Sequence, residues 1–169
     1  MSFKPNLSNG TGKFFRKQLD TITRQKSADT KVISLSDYRS NKNIKQKKTV
    51  LVVDDDEIMR NALKRVLEGE NFNVLAAEDG YALSHLLDAS FLDMILLDIT
   101  LPWVDGFELV QLLKSHSVLK EIPVIMVSAH KSTDDIRRAM ELGANDFIGK
   151  PFDVDYLVQA IRKNLPSAG

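Results

Sequence analysis

From Thr49 onward, apolar residues along the chain follow two alternating rhythms. Short, continuous β-branched or aliphatic runs occupy Thr49–Val53, 72–77, 93–97, 123–127 and 145–148. Runs of that length and kind are expected of strands buried on both faces. Between them, apolar positions recur at helical spacing. In 57–68 these are Ile58, Ala62, Leu63, Val66 and Leu67, with Gly69 as the stop. Asp79 and Gly80 open a helix carrying Leu83, Leu86 and Leu87. Further helices are predicted over 105–114, with Phe107, Leu109, Val110, Leu112 and Leu113, over 132–142, stopped at Gly143, and over 154–163. Five strands alternating with five helices through short connections predict an α/β fold. Right-handed crossovers then make it a doubly wound, five-stranded parallel sheet with helices on both faces.

Residues 1–48 lack this rhythm. Phe14, Phe15, Leu19 and Ile22 can form one short amphipathic helix ringed by Lys13, Arg16, Lys17 and Arg24, and 32–35 a short strand or docking segment. The stretch 40–48 is polar and basic and reads as a linker. The formal net charge of zero hides a division: 1–48 carry 12 Lys/Arg against 3 Asp/Glu, and 49–169 carry 11 against 20, so +9 stands beside −9. The expected organisation is therefore a basic N-terminal extension over 1–48, an acidic domain over 49–165 and a tail over 166–169. The extension reads as a solvated tail, as a docking segment, or as a weak anchor for nucleic acid or an anionic membrane, and no nucleic-acid motif supports the last.

Composition narrows the classes. The absence of cysteine excludes a disulfide framework and thiolate metal sites. No apolar run approaches the roughly 20 residues of a membrane span, and the first residues lack a secretory h-region. A cytoplasmic location is expected.

The chemistry lies at the strand ends. Asp54 and Asp55 close the first strand, Asp98 the third, Ser128 the fourth and Lys150 the fifth. A parallel sheet lines such ends along one edge, where open α/β sheets place their ligands. Carboxylates that close repel unless a cation lies between them, so the cluster reads as a divalent-metal site beside a reactive Asp. Asp98 is the best nucleophile of the three, because it precedes a loop whose Pro102 and Gly106 fix a turn. Attack of an Asp on phosphorus gives an acyl phosphate. Lys150, the Ser128 hydroxyl and a metal can neutralise the three equatorial phosphoryl oxygens. Each residue also has a plain structural reading. Asp55 or Asp56 can be a helix N-cap, Asp98 a turn former, Ser128 a loop hydroxyl and Lys150 a solvated charge. Their joint occurrence at consecutive strand ends favours the site. Pro151 directly after Lys150 can fix a bend through a cis bond.

The segments Val-Leu-Val-Val-Asp-Asp-Asp-Glu, Leu-Leu-Asp98-Ile-Thr-Leu-Pro-Trp-Val-Asp-Gly, Val-Ser128-Ala-His and Lys150-Pro-Phe resemble the receiver domain of two-component response regulators, of the chemotaxis-regulator kind, over about 49–165. The resemblance implies a flavodoxin-like strand order 2-1-3-4-5. It implies that Asp98 accepts a phosphoryl group from a phosphohistidine on a sensor histidine kinase or a histidine phosphotransfer protein. Asp54, Asp55 and Asp98, with the Thr100 carbonyl, would bind Mg²⁺, with Mn²⁺ as the alternative ion. Lys150 and Ser128 would hold the acyl phosphate. Ser128 and Phe147 match the switch positions. Phe147 replaces a frequent tyrosine, which leaves an apolar packing switch or a plain core aromatic.

Leu101 stands where methionine is common, a volume-conserving exchange. Trp103 is either an exposed contact for the kinase or a lid over its loop. His130 occupies the position that tunes attack of water on the acyl phosphate, or is a surface histidine. Output is expected through a protein contact at the surface of the fourth helix, fifth strand and fifth helix, since the chain ends four residues after Leu165. No enzymatic activity is expected beyond the domain's own phosphotransfer and slow autodephosphorylation. Two readings compete: a haloacid-dehalogenase-like phosphatase with Asp54 as nucleophile, and a receiver-like scaffold that is never phosphorylated.

Overall fold

The computed structural model describes residues 13, 14, 17, 47–89 and 92–165. Five strands, β1 (Thr49–Val53), β2 (Asn73–Ala77), β3 (Met94–Leu97), β4 (Val124–Ser128) and β5 (Asp146–Gly149), form one parallel sheet in the order β2-β1-β3-β4-β5. Between and after them run α1 (Glu57–Gly69), α2 (Gly80–Ala89), α3 (Gly106–Ser115), α4 (Thr133–Glu141) and α5 (Val154–Asn164), with a 3₁₀ turn at Leu119–Glu121. The expected doubly wound flavodoxin-like fold is the one found. No helix among the described residues is long and apolar enough to cross a membrane.

Strand alternation divides the core into two layers. Val50, Val52, Met94, Leu96, Ile125 and Val127 face Leu63 and Leu67 of α1 and Leu157 and Ile161 of α5. Leu51, Val53, Ile95, Leu97 and Met126 face Leu83 and Leu87 of α2 and Leu109 and Leu113 of α3. Successive strand side chains point to opposite faces, so each strand supplies both layers. Burying one such side chain contributes about 1.5–3 kcal/mol. This fixes the register that sets the strand ends side by side.

Most boundaries shift by one residue from the sequence expectation, and two differences have physical causes. Gly69 does not stop the first helix but is its last residue. The left-handed turn falls on Asn71 at φ 69°, a conformation asparagine tolerates better than most residues. Phe72, expected in the second strand, is buried against the α1 and α5 layer just before β2 begins. Gly143 does take a left-handed φ of +99° and ends α4.

Of the 1–48 extension, Lys13, Phe14 and Lys17 lie in helical backbone, with Phe14 exposed. Lys48 donates to Asp93 at 2.8 Å at the start of β1. The rest of the expected amphipathic helix (Phe15, Leu19, Ile22), the segment 32–35 and the tail 166–169 lie outside the described residues.

Candidate functional site at the carboxyl edge of the sheet

Strand pairing carries the reactive candidates to one edge. The Asp54 N–H donates to the Ala77 carbonyl at 3.3 Å, and the Asp98 N–H to that of Val53 at 2.9 Å. The Lys150 N–H donates to the Ser128 carbonyl at 2.7 Å, and the Lys150–Pro151 peptide is cis, as the sequence allowed. Asp54, Asp98 and Ser128 are buried, whereas Asp55 is exposed. Capping of α1 falls to Asp56, whose carboxylate accepts the Ile58 and Met59 N–H groups at 2.8 and 3.2 Å. Asp54 and Asp55 are left for other chemistry.

Lys150 reaches across from β5 into the acidic pair. Its Nζ donates to Asp54 Oδ2 at 2.6 Å and to Asp98 Oδ2 at 2.8 Å. The other oxygen of each carboxylate accepts a backbone N–H, from Asp56 at 2.9 Å and from Thr100 at 3.0 Å. Burial by itself lowers the Lys150 pKa, but the hydrogen bonds and charges of Asp54 and Asp98 outweigh it and hold the ammonium above its ordinary value.

Asp54, Asp55 and Asp98 each offer a carboxylate oxygen, and the three lie within 4.8 Å of one another. Octahedral Mg²⁺, with oxygens at about 2.1 Å, spans about 4.2 Å between opposite ligands. At most one pair among three ligands is opposite and the others are adjacent, about 3.0 Å apart, so the three carboxylates would draw closer together around one ion. Hard anionic oxygens also suit Mg²⁺ or Mn²⁺ rather than a soft metal.

The remaining sequence candidates occupy distinct positions. Thr100 is exposed and forms an isolated backbone bridge with Asp105. The Ser128 Oγ accepts the His130 N–H at 3.1 Å, so the hydroxyl is part of its loop's internal bonding, and the His130 side chain is exposed. Phe147 is half-buried against the α3 layer. Trp103 is not the exposed residue of one reading. It is half-buried, and its Nε1 donates to the Glu78 carbonyl at 3.3 Å, as a lid over its loop would.

Sequence reasoning missed several residues. Arg60 donates to the Asp54 carbonyl at 2.9 Å and to Glu78 at 3.0 Å, tying the first two loops of this edge together. In the sequence, nothing sets Arg60 apart from other polar residues of its amphipathic helix. Gly106 leaves room for close packing within the loop after Asp98: a Cβ there would fall 2.5 Å from the Asp98 carbonyl oxygen and 2.6 Å from the Ile99 Cα. Gly149 similarly leaves room for the aliphatic stem of Lys131.

Comparison with known proteins decides the family. The response regulator receiver domain family matches residues 50–162. The chain belongs to that family. This receiver domain is 41% identical over 113 residues to the transcriptional regulatory protein CpxR of Escherichia coli K12, covering 67% of this chain and 47% of CpxR. It is 38% identical over 120 residues to the transcriptional regulatory protein CseB of Streptomyces coelicolor, covering 71% of this chain and 50% of CseB. The chain thus spans about half the length of these curated relatives. Among solved structures it resembles the chemotaxis protein CheY4 of Vibrio cholerae, with a TM-score of 0.65 and 28% identity over 70% of this chain and 99% of CheY4. A putative response regulator from Chloroflexus aurantiacus gives a TM-score of 0.66 and 30% identity, covering 70% and 97% of the two chains. Receiver membership overturns the haloacid-dehalogenase-like reading with Asp54 as nucleophile.

Proposed function

We propose that this receiver domain is a phosphorylation-dependent signalling switch with Asp98 as its phosphoryl acceptor. The observation carrying this reading is the Asp54–Lys150–Asp98 cluster at the carboxyl edge of the sheet, with Asp55 beside it. In the step, an Asp98 carboxylate oxygen attacks phosphorus and the P–N bond of a phosphohistidine breaks. The imidazole leaves with the electron pair, yielding an acyl phosphate. Asp54, Asp55 and Asp98, together with the Thr100 carbonyl, would hold Mg²⁺ or Mn²⁺, which when bound supplies positive charge to the moving phosphoryl oxygens. Lys150 supplies a second positive charge, and the Ser128 hydroxyl, whose oxygen accepts the His130 N–H, keeps its own O–H to donate to a phosphoryl oxygen.

The donor we propose is a sensor histidine kinase or a histidine phosphotransfer protein, and the compartment the cytoplasm. Output runs through a protein contact on the α4–β5–α5 surface. Exposed Ile136 and Met140 on α4, and Val154 and Tyr156 on α5, support that surface. The switch joins Ser128 to Phe147, whose ring packs against the α3 layer without a hydroxyl. His130, exposed beside Ser128, tunes the lifetime of the phosphoryl group. The domain over 49–165 does this chemistry, and the basic extension over 1–48 selects partners. Deleting 1–45 is expected to leave phosphorylation intact and change partner choice.

Borohydride reduction of the phosphorylated protein, followed by peptide mass spectrometry, tests the assignment. Reduction of the acyl phosphate converts the acceptor Asp to homoserine, expected at 98; homoserine at 54 or 55 would assign the wrong carboxylate.

A further inference from the structure

α4 is held to the domain by less apolar burial than its neighbours. Ala139 is its one buried residue, whereas α3 buries six residues and α5 four. Its Ile136 and Met140 are 40% and 46% exposed. A helix with so small an anchor is free to shift at low cost, and any further contact weighs heavily on where it rests.

Arg138 makes that further contact. Its guanidinium carbon lies 4.2 Å from the centroid of the Phe107 ring, and its NH2 group lies 3.7 Å from Asp105 Oδ2. Both partners belong to the start of α3. The Asp105 carboxylate caps that helix by accepting the Phe107 N–H at 2.9 Å, and Asp105 bridges to Thr100 through the backbone. Thr100 in turn donates its N–H to Asp98 Oδ1 at 3.0 Å. Gly106 closes this loop against its own start, with its N–H on the Ile99 carbonyl at 2.9 Å and no space for a Cβ. These contacts tie Asp98, Thr100, Asp105 and Phe107 into one hydrogen-bonded unit.

We infer that Arg138 is a positioning residue that couples the loop after Asp98 to α4. The state of Asp98 is then read on the outward face carrying Ile136 and Met140, by a route separate from the Ser128 hydroxyl. The inference rests on the proposed role of Asp98. The contact is one cation–π pair between the exposed Arg138 and the buried Phe107 ring, reinforced by a loose ion pair, which sets its influence on the α4 equilibrium at about threefold. That is small for a core residue and large for a helix with one buried side chain.

The test uses the full chain as wild type, Arg138→Met and Arg138→Lys, with Mg²⁺ and beryllofluoride as the phosphoryl mimic. Fluorine NMR reports whether the mimic is bound. Amide hydrogen exchange over 133–141, with and without the mimic, reports the response of α4. Equal binding in all three is expected, with the α4 response reduced about threefold in Arg138→Met and partly restored in Arg138→Lys, which keeps the charge but not the stacking plane. A response in Arg138→Met equal to that of wild type, with the mimic bound, overturns the coupling; so does a wild type that binds the mimic without any change in α4. A wild type that fails to bind the mimic removes the reading of Asp98 and the coupling with it, and the fluorine signal separates that failure from the other two.

Discussion

The Lys150 ammonium lies 2.6 Å from Asp54 Oδ2, joining residues 96 positions apart in the chain, and the same nitrogen lies 2.8 Å from Asp98 Oδ2. All three side chains are at most 15% exposed. The lysine thus supplies the positive charge that two adjoining buried carboxylates require, and a metal ion entering the site would share that role.

Removing this charge exposes how much the pair depends on it. Lys150→Met leaves two carboxylates close together with no cation between them, a change expected to cost about 3 kcal/mol by the usual loss on breaking a buried pair. Millimolar Mg²⁺ should restore part of that in the variant and stabilise wild type less. Urea unfolding with and without Mg²⁺ measures both. A variant as stable as wild type in the absence of metal would contradict the account.

The raised pKa of Lys150 sets a pH window. Its folded-state value lies above the unfolded value of 10.5, because Asp54 and Asp98 overcome the effect of burial. Its contribution to stability is therefore complete below 10.5 and lost as pH rises through the folded value. The stability difference between wild type and Lys150→Met should stay constant from about pH 8 to about pH 10 and shrink at higher pH. A difference that falls between pH 7 and pH 9 would place the effect on another group.

Asp55 is exposed and takes no part in capping α1, so Asp55→Asn should fold with wild-type stability, within about 0.5 kcal/mol. Its Mg²⁺ affinity should fall about tenfold, since one of three anionic ligands becomes neutral. Titration calorimetry with Mg²⁺ reads the affinity directly. Unchanged affinity would remove Asp55 from the proposed ligand set.

Two glycines near the site should respond differently to a methyl group. Gly106→Ala drives the new Cβ against backbone atoms of Asp98 and Ile99, which cannot yield without moving the loop that carries Asp98. A loss of about 2–3 kcal/mol is expected, with slower phosphorylation. Gly149→Ala meets the Cδ of Lys131 at 2.7 Å, the far part of a flexible side chain, and should cost under about 1 kcal/mol. Thermal unfolding of the two variants distinguishes a packed backbone from a movable lysine.

Much of the fold and the site was legible in the sequence because one signal marked both. The apolar runs that end in Asp54, Asp98 and Ser128 are strands because they are continuous and aliphatic, and a parallel sheet must then bring their carboxyl ends together. What stayed hidden depends on spatial neighbours. Nothing in the local sequence separates a glycine at a turn from one such as Gly106, pressed against the backbone of Asp98. Arg60 and Arg138 look alike as polar positions on amphipathic helices. Only the fold shows that one binds the Asp54 carbonyl and the other covers Phe107. Gly69 was the expected helix stop, yet the left-handed turn lies two residues later, at Asn71.

The most direct measurement is the intact mass of wild type and Asp98→Asn after incubation with acetyl phosphate, with and without Mg²⁺. The account expects one alkali-labile phosphoryl adduct on wild type, dependent on Mg²⁺, and none on Asp98→Asn. An adduct of equal yield on Asp98→Asn would contradict the assignment of the acceptor, and no adduct on wild type with either acetyl phosphate or a phosphohistidine donor would contradict the switch itself.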